Sequence, residues 1–177
     1  PNEIYEVQNE HQQKLIKKGI SQEKAKQWSQ IGLIEGGSEW IWIRDAVILP
    51  SGRKTIKNRL NWKTSLDGPQ GVATLPVLKD KRIVVCLRYK HPLRSWQIEL
   101  PRGSRHYGES AVEASKRELR IATGFLAEKQ LFLGSIAASS SNFNTITPIF
   151  FGYINAQSEP ENADEKAILG FLVLSKE

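Results

Sequence analysis

The sequence predicts an α+β domain, and three observations carry that reading. From Trp40 onward, runs rich in β-branched and aromatic residues are separated by turn signals. A single well-bracketed helix interrupts them, between Ser110 and Gly124. The remaining helical pattern gathers at the N-terminal end, so strands and helices are segregated rather than alternating. A chain of 177 residues is long enough for one domain with an appended piece and a real core.

Taken in order, residues 2–18 are polar with scattered apolar positions (Ile4, Val7, Leu15, Ile16) and read as a surface helix ended by Gly19. Ser21 caps a second helix, roughly Gln22 to Gln30, with Ala25 and Trp28 on one side. Gly36-Gly37 closes this helical lead-in, which gives a division into residues 1–39 and a main domain over 40–177. The lead-in reads as an accessory element, an arm for a homodimer, or the tail of an upstream domain. Trp40 to Leu49 and Arg53 to Leu60 are strands joined at Pro50-Ser51-Gly52. Gly71 to Leu78 and Arg82 to Tyr89 pair across Lys79-Asp80-Lys81, and Trp96 to Leu100 follows. Later strands are expected at Leu131 to Ala137, Ile146 to Ile154 and Ile168 to Leu174, with a polar Ser139-Ser140-Ser141-Asn142 loop and an acidic loop, Glu159 to Glu165.

Composition narrows the classes. No apolar run approaches a membrane span, and the N-terminus lacks the charged-then-apolar layout of a signal peptide. The lone Cys86, inside Ile83-Val84-Val85-Cys86-Leu87, excludes an intrachain disulfide and reads as a buried strand residue, which suits a cytoplasmic address. The chain begins at Pro1 and holds no methionine, as expected of a processed or excised segment. Its net charge of +6 is unevenly placed: residues 40–122 carry seventeen basic against seven acidic side chains, while both flanks are net acidic. A positive face around a cleft is therefore expected, suited to a polyanionic ligand such as a nucleotide or RNA.

The stretch Gly103 to Phe125 bears most on function. Ser110 followed by Glu113 is a capping-box signature, so a helix should run from about Ala111 to Ala122 and end at Gly124. Gly103 to Glu109 becomes a tight loop feeding that helix. The unit resembles the Nudix box: Gly, five residues, Glu, seven residues, Arg-Glu-apolar-x-Glu-Glu-x-Gly-apolar. Gly103, Glu109, Arg117, Glu118, Leu119, Gly124 and Phe125 fall on the pattern, while Ile121 and Ala122 stand where it has paired glutamates. Positions 118, 121 and 122 share a helix face. In the family that face holds magnesium through several carboxylates, the hard oxygen ligands this ion prefers. With only Glu118 left, magnesium would be held weakly, and Ile121 is expected to pack among apolar neighbours.

The order of flanking motifs is similar to the ADP-ribose pyrophosphatase branch of the Nudix hydrolases over about residues 40–175. Leu49-Pro50-Ser51-Gly52 resembles its hairpin turn, Gly71 to Val77 its Gly-Val-Ala-x-Leu-Pro-Val strand, and Arg88-Tyr89-Lys90-His91-Pro92 its Gln-Tyr-Arg-x-Pro segment. Trp96, Glu99, Pro101 and Gly103 fit the run before the box. The resemblance implies a mixed sheet sandwiched by helices and a ligand of the ADP-ribose or nucleotide-sugar type. It also implies metal-assisted attack of water on phosphorus. It implies Glu118 as metal ligand and catalytic residue, the Arg102 carbonyl as a backbone ligand, and Glu165 as a further catalytic carboxylate. Arg88, Lys90, Glu99, Arg102 and Arg105 would face the substrate, and Gly103, Glu109, Arg117 and Gly124 would shape the box.

Two further positions depart from the pattern. Lys90 replaces an arginine and loses its two-pronged grip, and Ser140-Ser141-Asn142-Phe143 occupies the place of a Ser-Pro-Gly-Phe-like loop. A closing helix would be expected near Glu177. His11, His91 and His106 stand apart and suggest no metal site, and Trp40, Trp42, Trp62 and Trp96 read as core or interface. The leading reading is a domain that recognises a nucleoside diphosphate derivative with weak or absent hydrolysis. The alternatives are an active pyrophosphatase using Glu99, Glu113 or Glu165 as substitute ligands, and an RNA- or protein-interaction domain using the basic surface.

Overall fold

The architecture comes from a computed structural model that describes residues 2–63, 71–137, 139–157 and 168–174. The chain forms two compact units, one of residues 1–68 with 139–145 and the other of residues 69–138 with 146–177.

The first unit opens with two helices, α1 (Asn2–Lys17) and α2 (Gln22–Ser29). The Ser21 hydroxyl accepts from Lys24 N at 3.4 Å, as its N-cap position requires. Val7, Ala25 and Ser29 are buried, and His11 Nδ1 lies 3.1 Å from Ser29 Oγ. An antiparallel sheet follows: β1 (Gly32–Gly36), β2 (Trp40–Ile48) and β3 (Lys54–Trp62). The lead-in is therefore not helical throughout. Gly36-Gly37 closes a hairpin rather than a helix, with Gly37 N donating to Trp40 O at 2.8 Å. Trp40 stacks obliquely on Trp62 and meets Phe143 edge-on, while Trp42 Nε1 donates to Asn58 Oδ1 at 3.0 Å. Asn142 O, in the Ser139–Asn142 loop, accepts from Leu60 N at 2.7 Å, which joins that loop to β3.

The second unit is built on a seven-stranded mixed sheet. Its strands are β4 (Gly71–Leu78), β5 (Ile83–Lys90), β6 (Ser95–Glu99), β7 (Arg102–Ser104), β8 (Phe125–Ile136), β9 (Thr147–Gln157) and β10 (Ile168–Leu174). The main order is β10-β5-β4-β9-β8, with β4 and β9 parallel and the other pairs antiparallel. The feature that positions the site is a fork. β4 and β5 pair only at Val77 and Ile83, next to their turn, and then separate. β6 fills the gap along β5 and β7 fills it along β4. Pro101 is buried at the corner between them, its carbonyl accepting from Thr74 N at 2.9 Å. A proline suits this corner because it has no N–H to satisfy there.

Helix α3 (Ala111–Thr123) leaves the fork and packs on β4, β7, β8 and β9. Its capping box is complete: Glu113 N donates to Ser110 Oγ at 3.2 Å and Ser110 N donates to Glu113 Oε2 at 2.9 Å. Such a cap contributes about 1 kcal/mol. Gly124 ends the helix at φ 70°, a left-handed conformation that costs glycine little. That turn delivers Phe125 straight into the core, so β8 starts six residues before the expected Leu131. Leu119 and Phe125 pack with Val84 and Ile154, and Ala114 packs with Val72 and Phe150. Full burial of a side chain such as Leu119 stabilises by roughly 1.5–3 kcal/mol. No helix among the described residues is long and apolar enough to cross a membrane.

Candidate functional site

The loop between β7 and α3 is organised by one ion pair. Arg117 Nε and Nη2 each lie 2.8 Å from the Glu109 carboxylate, one on each oxygen. His106 N adds a third donor to Glu109 Oε2 at 2.9 Å. These hydrogen bonds, led by Arg117, hold the Glu109 carboxyl down at about 2 despite its partial burial. The same pairing raises Arg117 above its usual value. Arg117 Nη2 also donates to Ser104 O at 2.7 Å, and Arg105 Nη2 donates to Glu109 O at 2.6 Å. Arg105, expected to face the substrate, thus spends its guanidinium on the loop itself.

Arg117 makes one more bond. Its Nη1 donates to Glu118 Oε1 at 2.6 Å. On its other side the Glu118 carboxylate lies against Gly103, where a Cβ would collide with it. A side chain at 103 would force the Glu118 carboxylate to shift. Gly103, Glu109, Arg117 and Gly124 therefore all have structural work in the loop–helix unit.

The cations come from the fork. Arg88 and Lys90 alternate along β5 and so project to the same side. Glu99, opposite Cys86 on the neighbouring β6, meets both of them. Lys90 Nζ lies 2.7 Å and Arg88 Nε 3.6 Å from Glu99 Oε1, and Arg102 Nε lies 2.9 Å from Oε2. Burial pushes the Glu99 carboxyl up, but hydrogen bonds from Lys90 and Arg102 and their charges outweigh it, leaving the group below its ordinary value. Arg88 reaches the Arg102 carbonyl through Nη1 at 3.4 Å, while its buried Nε lacks a hydrogen-bond partner among the described residues. An orphaned buried donor of this kind costs free energy until something accepts from it.

These groups enclose a cavity of about 450 Å³ lined by Arg88, Lys90, Arg102, Gly103, Glu118 and Ile121, among others. Ile121 is not in the core as expected. It is half-buried and forms part of the cavity wall, because three residues after Glu118 the helix has returned to the same face. Ala122 faces the core instead, with 2% of its surface exposed. The helical period placed Ile121 on the face of Glu118, and that holds; Ala122, expected on the same face, turns to the core instead. No sequence signal marks the Ser104 carbonyl or the bond from Arg117 to Glu118.

Among the described residues, the substitute ligands do not gather around Glu118. Glu113 is engaged in the capping box, Glu99 is surrounded by three cations, and Glu165 lies outside the described residues. Among the described residues no three His, Cys, Asp or Glu side chains come together so as to hold a metal ion. Among the described residues lining the cavity, Glu118 is the one carboxylate, and it is paired with Arg117.

Two solved structures show a similar fold. One is described as an ADP compounds hydrolase: TM-score 0.62, 18% identity, covering 82% of this chain and 74% of that one. The other is a NUDIX hydrolase from Nitrosomonas europaea: TM-score 0.50, 20% identity, covering 60% of this chain and 72% of that one. The chain has the Nudix fold. No family profile and no curated protein matches the sequence, so the likeness is carried by structure. Residues 103–125 form a loop–helix unit, and the cavity lies beside it.

Proposed function

We propose that the Nudix-fold unit binds a nucleoside diphosphate derivative of the ADP-ribose or nucleotide-sugar type in the cavity beside α3, with little or no metal-dependent hydrolysis. The observation that carries this reading is the charge arrangement. Arg88, Lys90 and Arg102 surround one carboxylate, Glu99, while Glu118 shares Arg117 with Glu109. The cations of the cavity and its loop outnumber the carboxylates, the balance that an anionic diphosphate derivative needs. Protein cations then do what a metal would otherwise do for binding, screening the phosphates. Hydrolysis needs more, since a metal also activates water and stabilises the charge that develops on phosphorus. The ADP compounds hydrolase of similar fold supports the ligand class, and the lost carboxylates at 121 and 122 support the weak chemistry.

The test is thermal denaturation with ADP-ribose and with nucleotide sugars, each in magnesium and in EDTA. A ligand at about 100 times its Kd stabilises the native state by about 2.7 kcal/mol. Stabilisation of equal size with and without magnesium is expected. No stabilisation by any of these compounds, or turnover near ~1 s⁻¹ with magnesium, the low end of ordinary enzymes, overturns the proposal.

A further inference from the structure

β8 is the last strand of the main sheet order: it pairs with β9 and, among the described residues, with no other strand. Its outer backbone edge is therefore open along a strand of 12 residues, and an open edge is a template for pairing with another chain. The two halves of β8 differ. Phe125 is buried and Gln130 bonds to Ser115 of α3, so the first half is tied to the core. Beyond it, Leu131, Phe132, Leu133 and Ile136 expose 45%, 62%, 56% and 51% of their surface. Leu131 and Phe132 pair with Phe151 and Phe150 and so stand on opposite faces of the sheet, which makes this edge apolar on both. A helix docking there would cover one face, whereas a strand added in the plane of the sheet uses both. Edges are commonly protected by a charge, a proline or a bulge. From Gln130 to Ile136 there is neither charge nor proline. The one bulge takes Leu133 out of the ladder with β9 and leaves it exposed.

We infer that two copies of this chain pair through β8, edge to edge and antiparallel, about a two-fold axis at Phe132. The residues around that point select a second copy as the partner. In an isologous contact residue i meets j and j meets i, so a self-pairing strand must match its own reversal. Leu131-Phe132-Leu133 reads the same in both directions. An axis at Phe132 sets that residue against itself and each Leu131 against Leu133 of the second copy. Lys129 then faces Ser135 and Glu128 faces Ile136, so no like charges are opposed. An axis at Glu128 or Lys129 would oppose like charges, and one at Leu131 would set Lys129 against a leucine. The area sets the strength. The four side chains expose on the order of 400 Å² per copy, within the range of the largest apolar patch on a typical monomer. That is about half of what each side of a standard interface buries, with the hydrogen bonds of the added strand besides. The dimer therefore dissociates on dilution, and it is closed, because pairing uses up the edge that forms it.

The experiment is sedimentation equilibrium of the full chain over a wide range of concentration, beside a Leu131→Lys/Leu133→Lys variant. The parent should pass from monomer to dimer as the concentration rises, and go no further. Both leucines are exposed, so the variant should keep the melting temperature of the parent, which is measured alongside. Its dimer should be weaker by roughly tenfold or more, because lysine then faces lysine on both sides of the axis. Single cysteines test the register. Under mild oxidation Phe132→Cys should give a disulfide-linked dimer, since directly opposed residues of antiparallel strands have Cα atoms within disulfide range. Lys129→Cys should not, and the native Cys86 is buried and stays out of the reaction. A parent that stays monomeric, or that grows beyond a dimer, overturns the inference. So does a dimer untouched by the two lysines, or the absence of a cross-link at 132.

Discussion

Arg117 Nη1 donates to Glu118 Oε1 at 2.6 Å, so the carboxylate that α3 turns toward the cavity already has a cation. The same guanidinium holds Glu109 through two bonds and the Ser104 carbonyl through another. Removing it leaves two carboxylates and a carbonyl without their donor. Arg117→Ala is expected to lower stability by about 3 kcal/mol in urea unfolding, given 1.5–3 kcal/mol for hydrogen bonds to charged groups. Arg117→Lys should recover less than half of that, because an ammonium cannot hold Glu109 in a two-pronged grip. A loss below about 0.5 kcal/mol for the alanine variant, the range of ordinary surface substitutions, would contradict this account.

The contact between Gly103 and the Glu118 carboxylate predicts a coupling. Gly103→Ala places a methyl group where that carboxylate lies, and Arg117 keeps the carboxylate from moving aside. A cost of about 1–3 kcal/mol is expected from such overpacking. In a Glu118→Ala background the same substitution should cost much less. The double-mutant cycle reads the difference directly, and additive effects would mean that the glycine is needed for some other reason.

Glu109 predicts the acid limb of the stability curve. Its folded value is depressed to about 2, below the value of an unpaired glutamate, so the ionised form is favoured in the folded state. The contribution is fully present above about pH 4.5 and is lost as the pH falls toward 2. Glu109→Gln should therefore be less stable than the parent at neutral pH, and the gap should close as the solution is acidified below pH 4.5. A gap that stays constant down to about pH 2 would remove Glu109 from that role.

The legible parts of this chain were those where a local rule and the tertiary structure agree. Ser110, Glu113 and Gly124 marked both ends of α3 because caps are local chemistry, and the Gly71–Leu78 strand is legible from end to end. Other boundaries depended on partners distant in sequence. A strand is expected only from Leu131, yet Phe125 is buried and pairs with β9 at Gln157, so the strand starts as soon as the helix ends. Gly36-Gly37 carried the same turn signal whether a helix or a hairpin preceded it, and only the pairing with β2 decides between them. At the site, the charges at 88, 90, 99 and 102 were visible, but their convergence depends on the fork between β4 and β5. No periodicity encodes a separation of two strands.

Glu99 holds three cations in place and also opposes an incoming anion. Glu99→Gln removes the negative charge while keeping the shape, so Arg88 and Lys90 lose their counter-charge in a partly buried setting and Arg102 loses it at the surface. Two opposite effects are expected. The folded protein should lose about 1–3 kcal/mol, the cost of leaving buried polar groups unsatisfied, and pyrophosphate should bind several-fold more tightly. The tighter binding should weaken faster with added salt than in the parent, as screening of exposed charges requires. Calorimetry at two salt concentrations checks this, and weaker binding at both would mean that Glu99 acts by positioning the cations rather than by opposing the ligand.

Ile121 and Ala122 stand at the two positions where a magnesium-binding box has glutamates, but they are not equivalent. Ile121 lines the cavity, half-buried, whereas Ala122 is 2% exposed and belongs to the core. Restoring carboxylates should separate them. Ile121→Glu can place its oxygens in the cavity with Glu118, so the fold should survive with a change of under about 1 kcal/mol, close to that of surface substitutions. Ala122→Glu must find room in a packed interior and desolvate a charge, so it should lose several kcal/mol or fail to fold. In EDTA, the new carboxylate of Ile121→Glu repels phosphate, and pyrophosphate affinity should fall by roughly tenfold, about 1.4 kcal/mol. Magnesium should restore that affinity in the variant and leave the parent unchanged, because only the variant offers two carboxylates on one face. Binding of pyrophosphate with and without magnesium, measured beside a melting curve for each variant, gives all these outcomes. If magnesium tightens binding to the parent as strongly as to Ile121→Glu, the parent already has a metal site and the charge-matched reading of its cavity falls.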